Sequence, residues 1–194
     1  MGFPTIFIRL TGCPLRCQYC DSAYAFKGGR IMTMEAILES IRPYNTSYVT
    51  VTGGEPLAQP ECKELLKALC DGYAHVSLET GGALSIEGID PRVSIVLDLK
   101  TPGSKEAHQN KWENISHLKP QDQVKFVICH EEDFLWAVNI LEEYDLKNRC
   151  TILFSPSYHE LEPQQLANWI LEKQLPVRMQ IQLHKYLWGD VPGK

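Results

Sequence analysis

The sequence predicts an α/β fold in which a parallel sheet curves into a partial, open (β/α) barrel. Three observations predict it. Short apolar or β-branched runs alternate with segments of helical spacing, the pattern of parallel strands joined by helical crossovers. Seven such runs are present, one fewer than a closed eight-stranded barrel needs. The chain has 194 residues, short of the roughly 250 that a closed barrel usually takes.

The elements follow in order. Residues 5–10 read as the first strand and 11–30 as a long polar loop with three cysteines. Thr33 is placed to cap a helix over 34–42, ahead of Pro43. The β-branched run 48–52 is a strand ending at Gly53-Gly54. Residues 60–70 carry helical spacing at Cys62, Leu65, Leu66 and Leu69. Strands are expected over 75–80 and 94–100, the first ending at Gly81-Gly82 and the second before Pro102-Gly103. A short helix is expected over 112–118, then a strand over 124–129 and a helix over 131–144. The strand 151–155 precedes Pro156, a helix follows over 163–173, and a last alternating strand is expected over 179–183. Each strand runs into glycine, proline or polar residues at its C-terminal end. That edge is where α/β sheets and barrels bind ligands.

Composition narrows the function. Nineteen basic against twenty-four acidic residues give a net charge of −5, the wrong balance for gripping a nucleic-acid backbone. The longest apolar run is 134–138, too short for a membrane span. No leader is expected at the N-terminus, and Met1-Gly2 lacks the Ser or Thr at position six that myristoylation wants. Seven cysteines without an export signal suggest reduced thiols in the cytoplasm.

Three of them crowd one loop as Cys13-x3-Cys17-x2-Cys20. Three thiolates this close suit a [4Fe–4S] cluster with one iron left open. A zinc site is the second reading, although it normally takes four ligands and no fourth Cys or His lies nearby. Unligated thiols are the third. A Gly-Gly-Glu-Pro run, Gly53 to Pro56, follows the second strand, where backbone without side chains can approach a ligand closely.

The loop, with Tyr19 before its third cysteine, and the Gly-Gly-Glu-Pro run resemble the radical S-adenosylmethionine (SAM) superfamily. Flanking segments narrow the resemblance to the 7-carboxy-7-deazaguanine synthases. They are 7–14, Cys20-Asp21-Ser22, Leu78-Glu79-Thr80-Gly81, 98–104 and 182–188. The resemblance runs from about Phe3 to Trp188. It implies a radical SAM barrel of abbreviated core that converts 6-carboxy-5,6,7,8-tetrahydropterin to 7-carboxy-7-deazaguanine with loss of ammonia, on the route to queuosine. It further implies a [4Fe–4S] cluster, SAM and Mg2+, a homodimer, and an electron donor such as flavodoxin or ferredoxin.

Residue by residue, the resemblance assigns Cys13, Cys17 and Cys20 to the cluster and Ser22 to Mg2+. It assigns Tyr19, Cys20, Asp21, Gly54, Asp98, Lys100, Ser155 and Pro156 to SAM. Arg9, Thr52 and His184 are assigned to substrate, with Glu79 meeting SAM or substrate. The four other cysteines, Cys62, Cys70, Cys129 and Cys150, are expected to be buried structural thiols. The resemblance implies one domain over 1–194, with the cluster loop at 11–30 and without the strand and Gln-Gly-Glu segment that usually precede it. Ser155 stands where a glutamine is common. The alternatives are a radical SAM activase of a glycyl-radical enzyme and a non-catalytic zinc-binding domain.

Overall fold

The computed structural model describes residues 2–189 and 191. Met1 and the last residues of the expected 1–194 domain lie outside the described residues. Seven strands form one sheet in the order β1-β2-β3-β4-β5-β6-β7, and every pair is parallel. Among the described residues β1 and β7 do not pair, so the barrel is open.

The strands are β1 (Ile6–Leu10), β2 (Tyr48–Gly53), β3 (His75–Thr80), β4 (Ser94–Asp98), β5 (Gln123–Ile128), β6 (Thr151–Pro156) and β7 (Arg178–Met179). The α-helices are α1 (Met34–Ile41), α2 (Cys62–Gly72), α3 (Glu131–Glu143), α4 (Pro163–Glu172) and α5 (Leu183–Trp188). Thr33 caps α1, its hydroxyl accepting from the Ala36 N–H at 3.2 Å. That satisfies one of the donors a helix start leaves open. The stretch between β4 and β5 folds as three short 3₁₀ turns, the longest at Trp112–His117, where a short helix was expected.

Strand alternation sorts residues onto two unlike faces. One set is apolar and fully covered: Val49, Val51, Val76, Leu78, Ile95, Leu97, Val124, Phe126, Ile152 and Phe154 are each at most 3% exposed. These pack with Leu65, Leu66 and Leu69 of α2, Phe134, Ala137 and Ile140 of α3, and Leu166 of α4 into one hydrophobic core. The intervening set is mixed: Arg9, Thr50, Thr52, Ser77, Glu79, Asp98, Lys125 and Ser155 are polar, and Phe7, Val96, Val127 and Leu153 are apolar. Arg9, Thr52, Glu79, Asp98, Lys125 and Ser155 face the concave interior, and charged groups there are unsuited to a packed core.

One element departs from expectation. The strand over 179–183 shrinks to the two residues of β7, and Leu183 begins α5. Met179, Ile181 and Leu183 alternate like a strand, but Leu183 and Leu187, and His184 and Trp188, are four apart, and that helical spacing prevails. β4 also stops at Asp98, two residues early, because the Lys100 N–H donates to the Asn110 side chain at 2.8 Å instead of a ladder partner. Of the four outlying cysteines, Cys62 and Cys129 are buried as expected, but Cys70 and Cys150 are partly exposed. Cys70 flanks the apolar stripe of α2, and Cys150 lies just before β6 begins.

Candidate active site

A cavity of about 980 Å3 opens at the C-terminal edge of the sheet. Cys13, Cys17 and Cys20 line it together with Tyr19, Asp21, Ser22 and Gly54. So do Asp98, Lys100, Ser155 and Pro156, and also Arg9, Thr52, Glu79 and His184. Residues drawn from the loop after β1, five strand ends and α5 thus converge on one space.

The cysteine loop is clamped from two sides. On one side the β2 turn meets it: the Gly54 N–H donates to Leu10 O at 3.0 Å and the Glu55 N–H to Gly12 O at 2.7 Å. A Cβ on Gly54 would lie 2.3 Å from Gly12 O and 3.0 Å from Cys13 Cβ. Glycine is therefore required here by the loop's own backbone, a reason added to ligand approach. On the other side the turn after β4 supports it. The Gln18 N–H donates to Ser104 O at 3.1 Å, and the Arg16 N–H to Glu106 Oε1 at 2.6 Å. Leu15, 2% exposed, is buried beside Gly81 at the end of β3.

Glu55 went unassigned in the sequence reading and proves to be the brace of this corner. It is fully buried and accepts from the Leu57 N–H (3.1 Å), the Thr80 hydroxyl (2.9 Å) and the Gly81 N–H (2.7 Å). It ties the ends of β2 and β3 together. Burial pushes its carboxyl pKa upward against those hydrogen bonds.

Charge is concentrated beside the thiols. Lys100 Nζ lies 3.1 Å from Asp98 Oδ1. Burial opposes the lysine's charge, but the Asp98 carboxylate beside it outweighs burial and raises its pKa. The Tyr19 hydroxyl is buried and has no hydrogen-bond partner among the described residues. Burial raises the thiol pKa values of Cys13 and Cys20 and pushes Cys17 up to about 11. Bare, these thiols stay protonated at neutral pH, so metal loading must displace protons.

On the opposite side, the Ser22 hydroxyl donates to Asp21 Oδ1 at 2.7 Å, and the other Asp21 oxygen accepts from the Gln182 amide just before α5. The Arg9 guanidinium lies 5.6 Å from the Tyr24 ring centroid. The Thr52 hydroxyl donates to Glu79 Oε2 at 3.1 Å. Lys125, also unassigned from sequence, lines the same wall. Its signal was present in the alternation of β5, where a lysine stands between Val124 and Phe126 on the opposite face.

The donor set fits an iron–sulfur cubane. Three half-buried thiols share a cavity wall, and Cys62, next in sequence, is buried in the core cluster. Zinc normally takes four ligands on one centre, whereas a cubane spreads its thiolates over separate irons; three loop thiols with no fourth Cys or His beside them in the sequence therefore suit a cluster better than zinc.

A parallel open barrel with such a loop after its first strand defines a class of iron–sulfur enzyme, and comparison agrees. Residues 7–166 match the model of the Radical SAM superfamily. The chain is 42% identical to the 7-carboxy-7-deazaguanine synthase of Chlorobaculum tepidum, covering 97% of this chain and 87% of that protein. It is 37% identical to the synthase of Koribacter versatilis, covering 96% and 89%. In fold it resembles Streptococcus suis SuiB, with a TM-score of 0.62 and 13% identity over 92% of this chain and about half (49%) of SuiB. It also resembles native anSMEcpe with bound AdoMet, with a TM-score of 0.58 and 18% identity over 97% of this chain and 68% of that one. The chain belongs to the radical SAM superfamily and, within it, to the 7-carboxy-7-deazaguanine synthases. That family uses a [4Fe–4S] cluster and SAM, and its members act on a small molecule with the help of a reductant.

Proposed function

We propose that this chain is a radical SAM carbon–nitrogen lyase. It converts 6-carboxy-5,6,7,8-tetrahydropterin to 7-carboxy-7-deazaguanine with loss of ammonia, supplying queuosine and other deazapurines. The observation that carries this reading is the near full-length identity to synthases of that name. The convergence of Arg9 and Ser22 with the cysteine loop in one cavity supports it. A glycyl-radical activase has no comparable need for a carboxylate fork beside the loop.

In this reading Cys13, Cys17 and Cys20 hold the cluster, and when bound it supplies the one-electron chemistry that cleaves SAM and begins hydrogen abstraction from the substrate. The protein's own part is placement and exclusion. Tyr19, Asp21 and the Gly54 backbone frame SAM from the loop side. Asp98, Lys100 and the Ser155-Pro156 turn frame it from β4 and β6. Arg9 offers a planar two-donor fork to the substrate carboxylate. Ser22 would offer Mg2+ one hard oxygen donor, and the ion would help hold the substrate carboxylate. Thr52 holds the substrate from β2, and His184 approaches from α5. Glu79, held by Thr52, faces the substrate side.

The domain is a single radical SAM unit over 1–194. The enzyme works as a cytoplasmic homodimer, and flavodoxin or ferredoxin supplies the electron. No helix among the described residues is long and apolar enough to cross a membrane.

The test is anaerobic reconstitution followed by incubation with SAM, reductant, Mg2+ and carboxytetrahydropterin. Mass spectrometry should find the deazaguanine product. Protein loaded with iron and sulfide that cleaves SAM yet makes no product would overturn the substrate assignment. Iron-free, colourless protein would overturn the cluster. Ser22→Ala should retain iron while losing most of its activity and its response to Mg2+; an unchanged Mg2+ response would remove Ser22 from the metal site.

A further inference from the structure

Strand β5 sets Gln123, Lys125 and Val127 on one face and Val124, Phe126 and Ile128 on the other. The second set is buried in the core. Lys125 and Val127 line the cavity. A lysine on the inner face of a central strand carries a desolvation cost that some negative group must offset.

Within the protein that offset is partial. Lys125 pairs with Asp98 across the β4–β5 register, Nζ to Oδ2 at 3.7 Å. Asp98 is held more closely by Lys100, at 3.1 Å through its other oxygen. Two ammonium groups thus share one carboxylate. Lys125 is the more open of the two, its side chain 23% exposed against 10% for Lys100. Glu79, the other inward carboxylate of this wall, is engaged by the Thr52 hydroxyl. Arg9 adds a third cation from β1. Over the whole described lining, Arg9, Lys100, Lys125 and Lys185 stand against Asp21, Asp98 and Glu79, which leaves one positive charge in surplus.

We propose that Lys125 is an anion-binding residue of the site, its ammonium taking a carboxylate of a ligand seated in the barrel. On the functional reading above, two ligands bring one: SAM through its methionyl carboxylate, and the carboxypterin through its ring carboxylate. The position of Lys125 between Asp98 on β4 and Leu153 on β6 puts it within the arc of wall that ends at Ser155-Pro156.

The experiment measures binding by equilibrium dialysis on the reconstituted, oxygen-protected protein, with labelled SAM in one arm. The other arm uses carboxytetrahydropterin in the presence of SAM and without reductant. Lys125→Gln and the apolar, similarly long Lys125→Met should weaken one of the two ligands roughly tenfold or more, as loss of a charged hydrogen bond predicts. Lys125→Arg should recover most of it. The arm that changes identifies the carboxylate. Both neutral variants binding both ligands as wild type does, with only a lowered melting temperature, would overturn the proposal and make Lys125 a structural partner of Asp98. Should one neutral variant fail to fold, the other together with the arginine variant decides. Wild type is the control for the wider reading: if it binds neither ligand, the functional assignment fails; if it binds both, only the role of Lys125 is at stake.

Discussion

Glu55 accepts hydrogen bonds from three protein groups, and its carboxyl pKa is raised by burial. The sign of the pH effect follows. A carboxyl whose folded pKa exceeds its unfolded one binds more protons when native. Its contribution to stability is therefore greatest below the ordinary glutamate value and declines as pH rises from there through the raised pKa. Thermal melts of wild type from pH 4 to 7 should carry this downward component, and Glu55→Gln should lack it; identical pH profiles would refute the burial effect. Gly54 permits a second test at the same corner. Gly54→Ala drives a methyl group onto Gly12 O, so iron content after reconstitution should drop well below wild type while far-UV circular dichroism stays the same. At this scale the sequence was legible where a motif marks a place: the three cysteines, Arg9 and Ser22 do meet in one cavity. Glu55 and Lys125 were missed for different reasons. The partners of Glu55, Thr80 and Gly81, lie on another strand and no local spacing reveals them. Lys125 was visible as a charge inside an alternating strand, but alternation alone does not say whether the polar face meets solvent or a cavity.

The helices α2, α3 and α4 were readable because each carries an apolar stripe that the sheet must cover. In the core they cover, the Phe126 ring meets Phe154 edge-on at 5.6 Å and Trp136 of α3 at 6.2 Å. Phe126→Ala should cost about 3–5 kcal/mol, the usual penalty for emptying a packed aromatic site. Urea titration measures it, and a loss under 1 kcal/mol would mean the core closes over the gap. The tail was less readable. Six residues of α5 bury no side chain fully, so its helical pattern competed on equal terms with an apparent strand. What fixes α5 is tertiary: the Gln182 amide on Asp21 and the Lys185 ammonium 5.0 Å from the Tyr158 ring centroid.

For the whole molecule, α5 acts as a cover more than as a support. It sets Leu183, Leu187 and Trp188 along the cavity, each more than one-third exposed. Removing residues 183–194 should leave the melting temperature within a few degrees of wild type, because none of the described residues in that stretch belongs to the core. The same truncation should raise the KM for the pterin several-fold; an unchanged KM would take α5 out of the site. The seven-stranded parallel arrangement followed from the strand–helix rhythm alone. Its openness followed from chain length, since too few strands were available to meet edge to edge.

Neighbours in this sheet are also neighbours along the chain, without exception. A single cut at the exposed Gly88 would therefore sever only the β3–β4 seam and leave both fragments with all their other strand pairings. Cys13, Cys17 and Cys20 would go with one fragment and Asp98, Lys125 and Ser155 with the other. Chemistry here belongs to the reassembled pair, and turnover regained on mixing would report that the seam had healed.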